Sequence, residues 1–429
     1  MLKKSQKNFL KISSFQLLVM FRRGLFYSFL SIYLRFYLKL SVTETTFFAT
    51  FPMIVNILFQ NVIWGKISDK YQKRRTLIII GEIMAALGIT LTWYLHTLQP
   101  NKHLSGYVII AGLTIIEIFW SMSNLGWTAL LSDLFEAKKL ASIRGKMVSF
   151  GGFGRIIGVL IGGLAYDGLG HYFKGWGFQS GLLFFITSAI MIISSIPVFF
   201  LPEGGVKYDK ETKNNKFDKV RDKSKLKLFT IFIVAMVFIN FGRNSIAILK
   251  TQFFSLSDGL NLSPQIVSYL VNMQSIAMIA VGALIGKFIK LIKEEWILFF
   301  SAILAFTHII LFTTSNSIIV AFVANFFGGA SQVLIVASSY AVASFLIPPI
   351  KRGRRFAIYN ASLYLSWGIP ASLITGPIAD LLIKSNFSPL FAYRGAFWSA
   401  ALINLVGIIV LTFFIKKYHI CYQSKLFAK

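Results

Sequence analysis

The sequence predicts an all-α membrane protein of twelve transmembrane helices, built as two pseudo-symmetric six-helix bundles. Three observations carry this expectation. The chain has 429 residues, 55% hydrophobic and only 14% charged, with a mean hydropathy of +0.67; a soluble protein of this length needs far more polar surface. Its apolar residues fall into runs of about twenty or more, enough for a helix to cross a hydrocarbon core. Short motifs also recur at matching places in the two halves, the mark of an internal repeat.

The predicted spans of the first half run near 13–38, 44–65, 76–97, 106–132, 147–168 and 179–201. The opening "MLKKSQKNFLK" is basic but leads into an apolar run without a small-residue cleavage site, so the first span is read as retained. The second and third spans are separated by the charged "WGKISDKYQKRR", and the fifth follows "KKLASIRGK". Residues 202–227, "PEGGVKYDKETKNNKFDKVRDKSKLK", are polar and lysine-rich and read as a cytoplasmic linker. The second half, 228–429, supplies spans near 228–250, 264–288, 295–314, 316–347, 357–383 and 393–415, the eleventh following "KRGRR", and ends in a short cytoplasmic tail. The expected division is therefore a bundle at 1–201, a linker at 202–227 and a bundle at 228–429. Alternating segments of a membrane barrel are absent, which favours helices.

The net charge of +28 would point to nucleic acid in a soluble protein. Here it reads as orientation, and no nucleic-acid partner is expected. With the N-terminus inside, cytoplasmic segments hold about thirty-three of the 44 Lys and Arg and the opposite segments about seven. Both termini are thus expected in the cytoplasm, in a prokaryotic-type inner membrane. A single cysteine, Cys421, excludes a disulfide framework or thiolate cluster. The five histidines are scattered, so neither a metal site nor an enzyme is expected. No phosphate-binding G-x-x-x-x-G-K-[ST] loop occurs; no cofactor is anticipated, and a monomer is.

The repeats are specific. "MFRRG" (20–24) is echoed by "NFGRN" (240–244), aligning Arg23 with Arg243; "WGKIS" (64–68) by "IGKFI" (285–289); "IRGK" (143–146) by "KRGR" (351–354); and "GLAYD" (163–167) by "GPIAD" (376–380). Positions 65–75 resemble the loop signature of the major facilitator superfamily, Gly-x-x-x-Asp-Arg/Lys-x-Gly-Arg-Arg/Lys. Gly65, Asp69, Lys70, Lys73 and Arg74 fall on it, while Gln72 replaces the second glycine. The likeness extends over the whole chain through the six-plus-six layout and the central loop. It implies a secondary transporter that moves a small solute by alternating access, with its site at mid-membrane between the halves.

Within that resemblance the charged loop acts as a cytoplasmic gate. Gly65 would let helix ends approach closely and Asp69 would pair with cations of neighbouring loops, with Arg144 also in the gate; alternatively the cations only keep the loop inside and Asp69 is solvated. The fifth span, "GKMVSFGGFGRIIGVLIGG" (145–163), is similar to the glycine-rich motif of the drug–proton antiporter branch. Gly154, Gly158, Gly162 and Gly163 would form a groove for a neighbouring helix. Val159 stands where that motif has proline, and no arginine precedes Gly126 in the fourth span, which departs from drug export.

Charged groups at bilayer depth cost at least about 2.5–3.5 kcal/mol on insertion scales, so they mark cavities or partners. The resemblance puts the first, fourth, seventh and tenth helices around a central cavity. The candidate cavity residues are Arg22, Arg23, Glu117, Asn124, Asn240, Arg243, Asn244, Asn325 and Gln332. Glu117 leads a polar stripe with Ser121, Asn124 and Thr128. It reads either as a proton carrier or as one half of a structural ion pair with Arg22, Arg23 or Arg155. Arg23 and Arg243 alternatively reach an anionic substrate from both halves, similar to organic-phosphate exchangers of the superfamily. Glu82 is expected in the cytoplasmic charge network. Protons, a small solute and the bilayer are the anticipated partners.

Overall fold

The computed structural model describes residues 2–135, 137–204, 219–314, 316–347 and 352–423, and among these the regular structure is helical throughout. Eleven helices are long and apolar enough to cross a bilayer unaided: α1 (Lys7–Tyr37), α2 (Val42–Ser68), α3 (Arg74–Thr97), α4 (Lys102–Leu131), α5 (Met147–Tyr166), α6 (Leu182–Phe199), α7 (Leu226–Phe254), α8 (Pro264–Gly286), α9 (Glu294–Thr314), α10 (Ile318–Leu346) and α12 (Pro389–His419). Between the last two, α11 consists of Ile358–Trp367 and Ala371–Lys384, bent by 42° at the break. The protein is a multi-pass membrane protein. Large apolar side chains such as Leu87, Phe199, Phe300, Leu402 and Ile409 stay exposed on the helix surfaces, as lipid-facing residues do.

Local chemistry explains where the helices depart from straight rods. At the start of α2, Ser41 Oγ accepts from the Glu44 amide at 3.2 Å, and the Ser41 amide donates back to Glu44 Oε2 at 2.7 Å, a reciprocal cap. The α11 break falls at Gly368 and Pro370; proline lacks the amide and crowds the preceding turn. The expected seventh span ended at Lys250, yet α7 continues to Phe254 beyond a turn at 246–248. The expected loop after Gly65 is likewise helix: a π-helical turn at Gln60–Trp64 leads into Gly65–Tyr71. The chain reverses only at Gln72, whose φ of 51° is left-handed and whose amide donates to Ser68 O at 3.0 Å.

The chain forms two compact units, Met1–Tyr208 with Lys250–Ile279, and Asp209–Leu249 with Ala280–Lys429. In the first, α1 and α5 pack backbone to backbone. A Cβ on Gly154, Gly158 or Gly162 would stand 2.1, 1.9 or 2.6 Å from the carbonyl oxygens of Leu17, Phe21 and Leu25. Both series advance by four residues, one helical turn, so glycine notches receive a column of carbonyls. Apolar side chains including Ile12, Phe15, Ile78, Leu130 and Val198 close one core, and the rings of Phe26, Phe178, Phe184 and Tyr33 close another.

Residues 250–279 join this unit through polar bonds. Ser31 Oγ lies 2.8 Å from Thr251 Oγ1, and Gln252 Nε2 donates to Thr45 Oγ1 at 2.8 Å. Gln265 Nε2 donates to Asp167 Oδ1 at 3.2 Å. The second unit is built around Phe232, Met236, Leu298, Ile335, Tyr359 and Phe414, with Gly242 of α7 against Ala400 O and Asn404 of α12.

Candidate functional site

Polar groups at membrane depth in the first unit gather where α1 to α4 meet. Arg22 is buried and donates to both carboxylate oxygens of Glu82, Nη1 to Oε2 and Nη2 to Oε1, the latter at 3.1 Å. Ser123 Oγ donates to Glu82 Oε1 at 2.8 Å, and the guanidinium lies 5.1 Å from the Trp120 ring centroid. The two Nη groups are engaged in a bidentate pair with the carboxylate, while the buried Nε has no hydrogen-bond partner. Glu82 thus departs from its expected place in the cytoplasmic network. It sits two turns into α3, and its chemistry is set by the arginine facing it across the unit.

Glu117 takes a different partner. Its Oε1 accepts from Asn56 Nδ2 of α2, and it is only part-buried. Among the described residues no arginine pairs with it, because Arg22 is held by Glu82. Arg22 and Arg23 both lie within coulombic range of Glu117. Arg23 is exposed and makes no hydrogen bond or ion pair among the described residues. Further along α4, Asn124 is part-buried and its carbonyl accepts from Thr128 Oγ1 at 3.0 Å, while Ser121 Oγ is turned back onto Ile118 O at 2.7 Å.

Arg74 organises the end of this unit where α2 closes and α3 begins. It is buried, donates to both Ser68 O and Ser68 Oγ, and reaches Asp133 of the α4 end at 3.5 Å. Beside it Arg75 pairs with Glu203 at 3.0 Å, and the Thr76 amide donates to the same carboxylate at 3.0 Å. That places an acid at the positive end of α3. Lys70 and Lys73 are exposed, and Lys70 lies over the Tyr71 ring at 5.3 Å. Among the described residues, a Cβ on Gly65 would meet Gln60 O, 3.0 Å away on the same helix, because the π-helical turn brings that carbonyl in. The side chains of Asp69 and Arg144 lie outside the described residues.

Of the packing glycines, Gly154, Gly158 and Gly162 take α1 as described, and Gly163 takes α8, its Cβ position lying 2.9 Å from Ser268 and 3.0 Å from Pro264 O. In the second unit Arg243 is buried and donates through Nε to Asn240 Oδ1 at 3.0 Å. Asn244 Nδ2 donates to Ser366 Oγ at 2.7 Å, and Asn325 Nδ2 to Ala321 O at 2.9 Å. Gln332 is part-buried on α10. Asn240 and Asn325 therefore serve bonds within their own helices, Asn244 ties α7 to α11, and Arg243 is held by a neutral amide.

Two functional candidates escaped the sequence reading. Asn56 is a lone amide inside the apolar run "FPMIVNILF", and that isolation was its signal. Lys250 is buried and donates to Gln274 Oε1 at 3.0 Å; it lies within a span, not at the end of one.

No curated protein sequence matches the chain. Solved structures share its fold at low identity. A bacterial homolog of the human lysosomal transporter Spinster, inward-facing and unoccupied, aligns with TM-score 0.68 and 14% identity, covering 96% of this chain and 98% of that one. A mutant of the nucleoside transporter NupG aligns with TM-score 0.74 and 12% identity, covering 95% and 99%. The peptide transporter POT aligns with TM-score 0.68 and 12% identity, covering 96% and 95%. The family model of the Major Facilitator Superfamily matches residues 12–253 and again 232–420. Matched twice along almost its entire length, and sharing its fold with these transporters, the chain belongs to the major facilitator superfamily.

Proposed function

We propose that this protein is a proton-coupled secondary transporter that moves a small solute by alternating access, with Glu117 as its proton-carrying group. The observation behind this reading is the choice of partners. The carboxylate that does meet an arginine directly is Glu82, and Glu117 is left with the neutral amide of Asn56. A carboxylate bonded to a neutral donor gains and loses a proton without breaking an ion pair, which one clamped by a guanidinium would have to do. The exposed Arg23 lies in coulombic range of Glu117 without a direct bond to it.

The test is counterflow and pH-gradient-driven uptake in proteoliposomes. Nucleosides and peptides, the solutes named for the structural relatives, form the first panel. Glu117→Gln is expected to abolish uptake driven by a pH gradient while keeping solute exchange at equilibrium. Full gradient-driven uptake by Glu117→Gln defeats the proposal.

A second reading, exchange of organic anions, draws on Arg23 alone, exposed and without a hydrogen bond or ion pair among the described residues. Loss of organic-anion exchange in Arg23→Gln, with gradient-driven uptake by Glu117→Gln intact, would favour it. Both termini cytoplasmic, an inner-membrane location and a boundary between bundles at 202–227 belong to the same proposal, supported by the distribution of basic residues.

A further inference from the structure

Away from Glu117, the first unit contains a second set of cations that the transport reading leaves without a task. The first part of α8 runs antiparallel along α5. Gly163 faces Pro264 and Ser268, Asn272 Nδ2 donates to Ile156 O at 3.1 Å, and Gly152 faces Ile279. This register brings Arg155, one residue before the bonded carbonyl, level with Gln274. Gln274 Oε1 in turn accepts from Lys250 Nζ at 3.0 Å. Arg155 and Lys250 are within coulombic range of one another.

Arg155 has no hydrogen bond and no ion pair among the described residues. Lys250 is 5% exposed. Arg155 is part-buried, and two cations near each other inside membrane-spanning helices repel. A bound anion relieves that repulsion, and a guanidinium and an ammonium are donors that a carboxylate or phosphate takes.

We propose that Arg155 and Lys250, spaced by Gln274 at the α5–α7–α8 junction of the first unit, bind the carboxylate or phosphate group of an anionic ligand. The occupant is an anionic solute or the headgroup of an anionic lipid; the donor chemistry is the same. This assignment rests on the membrane-transporter reading but is independent of Glu117.

The test uses the full-length protein in nanodiscs of phosphatidylcholine, with thermal unfolding followed against inorganic phosphate and succinate at ionic strength matched with sodium chloride. A parallel set of nanodiscs contains phosphatidylglycerol and no added anion. Stabilisation by phosphate or succinate identifies a soluble anion; stabilisation by phosphatidylglycerol alone identifies a headgroup. In either case Arg155→Gln and Lys250→Gln should each weaken the response by about tenfold, the loss expected for one charge-assisted contact, and Arg155→Lys should retain most of it. Glu117→Gln should respond as the wild type does, so a failure of proton coupling and a failure of this site remain distinguishable. A wild-type protein indifferent to all three anions overturns the assignment, and so do variants that respond like the wild type. Because the first of these results is read on the unaltered chain, a variant that misfolds leaves the question answerable.

Discussion

Replacing Gly158 by alanine tests the backbone contact between α1 and α5. The new methyl group would stand 1.9 Å from Phe21 O, where ordinary contact begins at 3.4 Å, so the helices must part locally by up to about 1.5 Å. The obstacle is a backbone carbonyl, which no rotamer change removes, and its α1 neighbours Leu17 and Leu25 are engaged by Gly154 and Gly162 in the same way. Overpacking of this kind costs about 3 kcal/mol at the upper end of its usual range. Alanine recovers about 1 kcal/mol through its better helix propensity. The expected net loss is about 2 kcal/mol, roughly thirtyfold in the unfolding equilibrium. Reversible unfolding in mixed micelles, followed by tryptophan fluorescence, measures it. Gly286→Ala is the control: among the described residues nothing lies within 4 Å of its added methyl, and it should be neutral or stabilising by up to about 1 kcal/mol. Equal stability of Gly158→Ala and wild type would refute the notch, as would equal damage from the two substitutions.

Three other outcomes are expected. Gln72→Gly should stabilise the protein by about 0.5–1 kcal/mol in the same unfolding assay, since Gln72 holds a left-handed backbone conformation (φ 51°) that glycine adopts without strain; a loss of stability would show that its side chain matters more than its backbone. Glu82→Gln should destabilise by about 3–5 kcal/mol by leaving the buried Arg22 without its counter-charge, and Arg22→Met with Glu82→Met should recover most of that loss; a double variant no better than Glu82→Gln contradicts the pairing. Ser31→Cys with Thr251→Cys places sulfurs where hydroxyls are 2.8 Å apart, so an oxidant should form a disulfide that stops solute uptake and a reductant should restore it. Unchanged uptake in the cross-linked protein, verified by mass spectrometry, argues against movement at this junction.

Much of the helical framework was legible because a bilayer imposes a length and a polarity that composition alone reveals. The recurring motifs and the charged loop after α2 led to the superfamily on the same grounds. Interruptions were harder to read. Gly368 and Pro370 sit inside a run apolar enough to count as one span, and only the backbone shows that the helix breaks there. Polar partnerships were the least legible, since which side chains meet depends on the rotation of each helix about its axis. Glu82, near the inner end of an apolar run, gave no sign that it would face Arg22 and Ser123. Glu117 was recognised as unusual, but its contact with Asn56 needed both helices in place. Lys250 was missed because a lysine at the end of an apolar run normally reaches toward water, and here it stays buried beside Gln274.

The carbonyl column of α1 seated in the notches of α5 has a kinematic consequence. Three interlocked positions spaced one turn apart act like teeth on a rack, so neither helix slips along the other without lifting out of register. Arg22 and Arg23 on one rod and Arg155 on the other must then travel as fixed marks on a single strut. Spin labels near these marks should report one unchanging distance through the transport cycle, and whatever deforms to open a path for solute must do so at the seams of this strut.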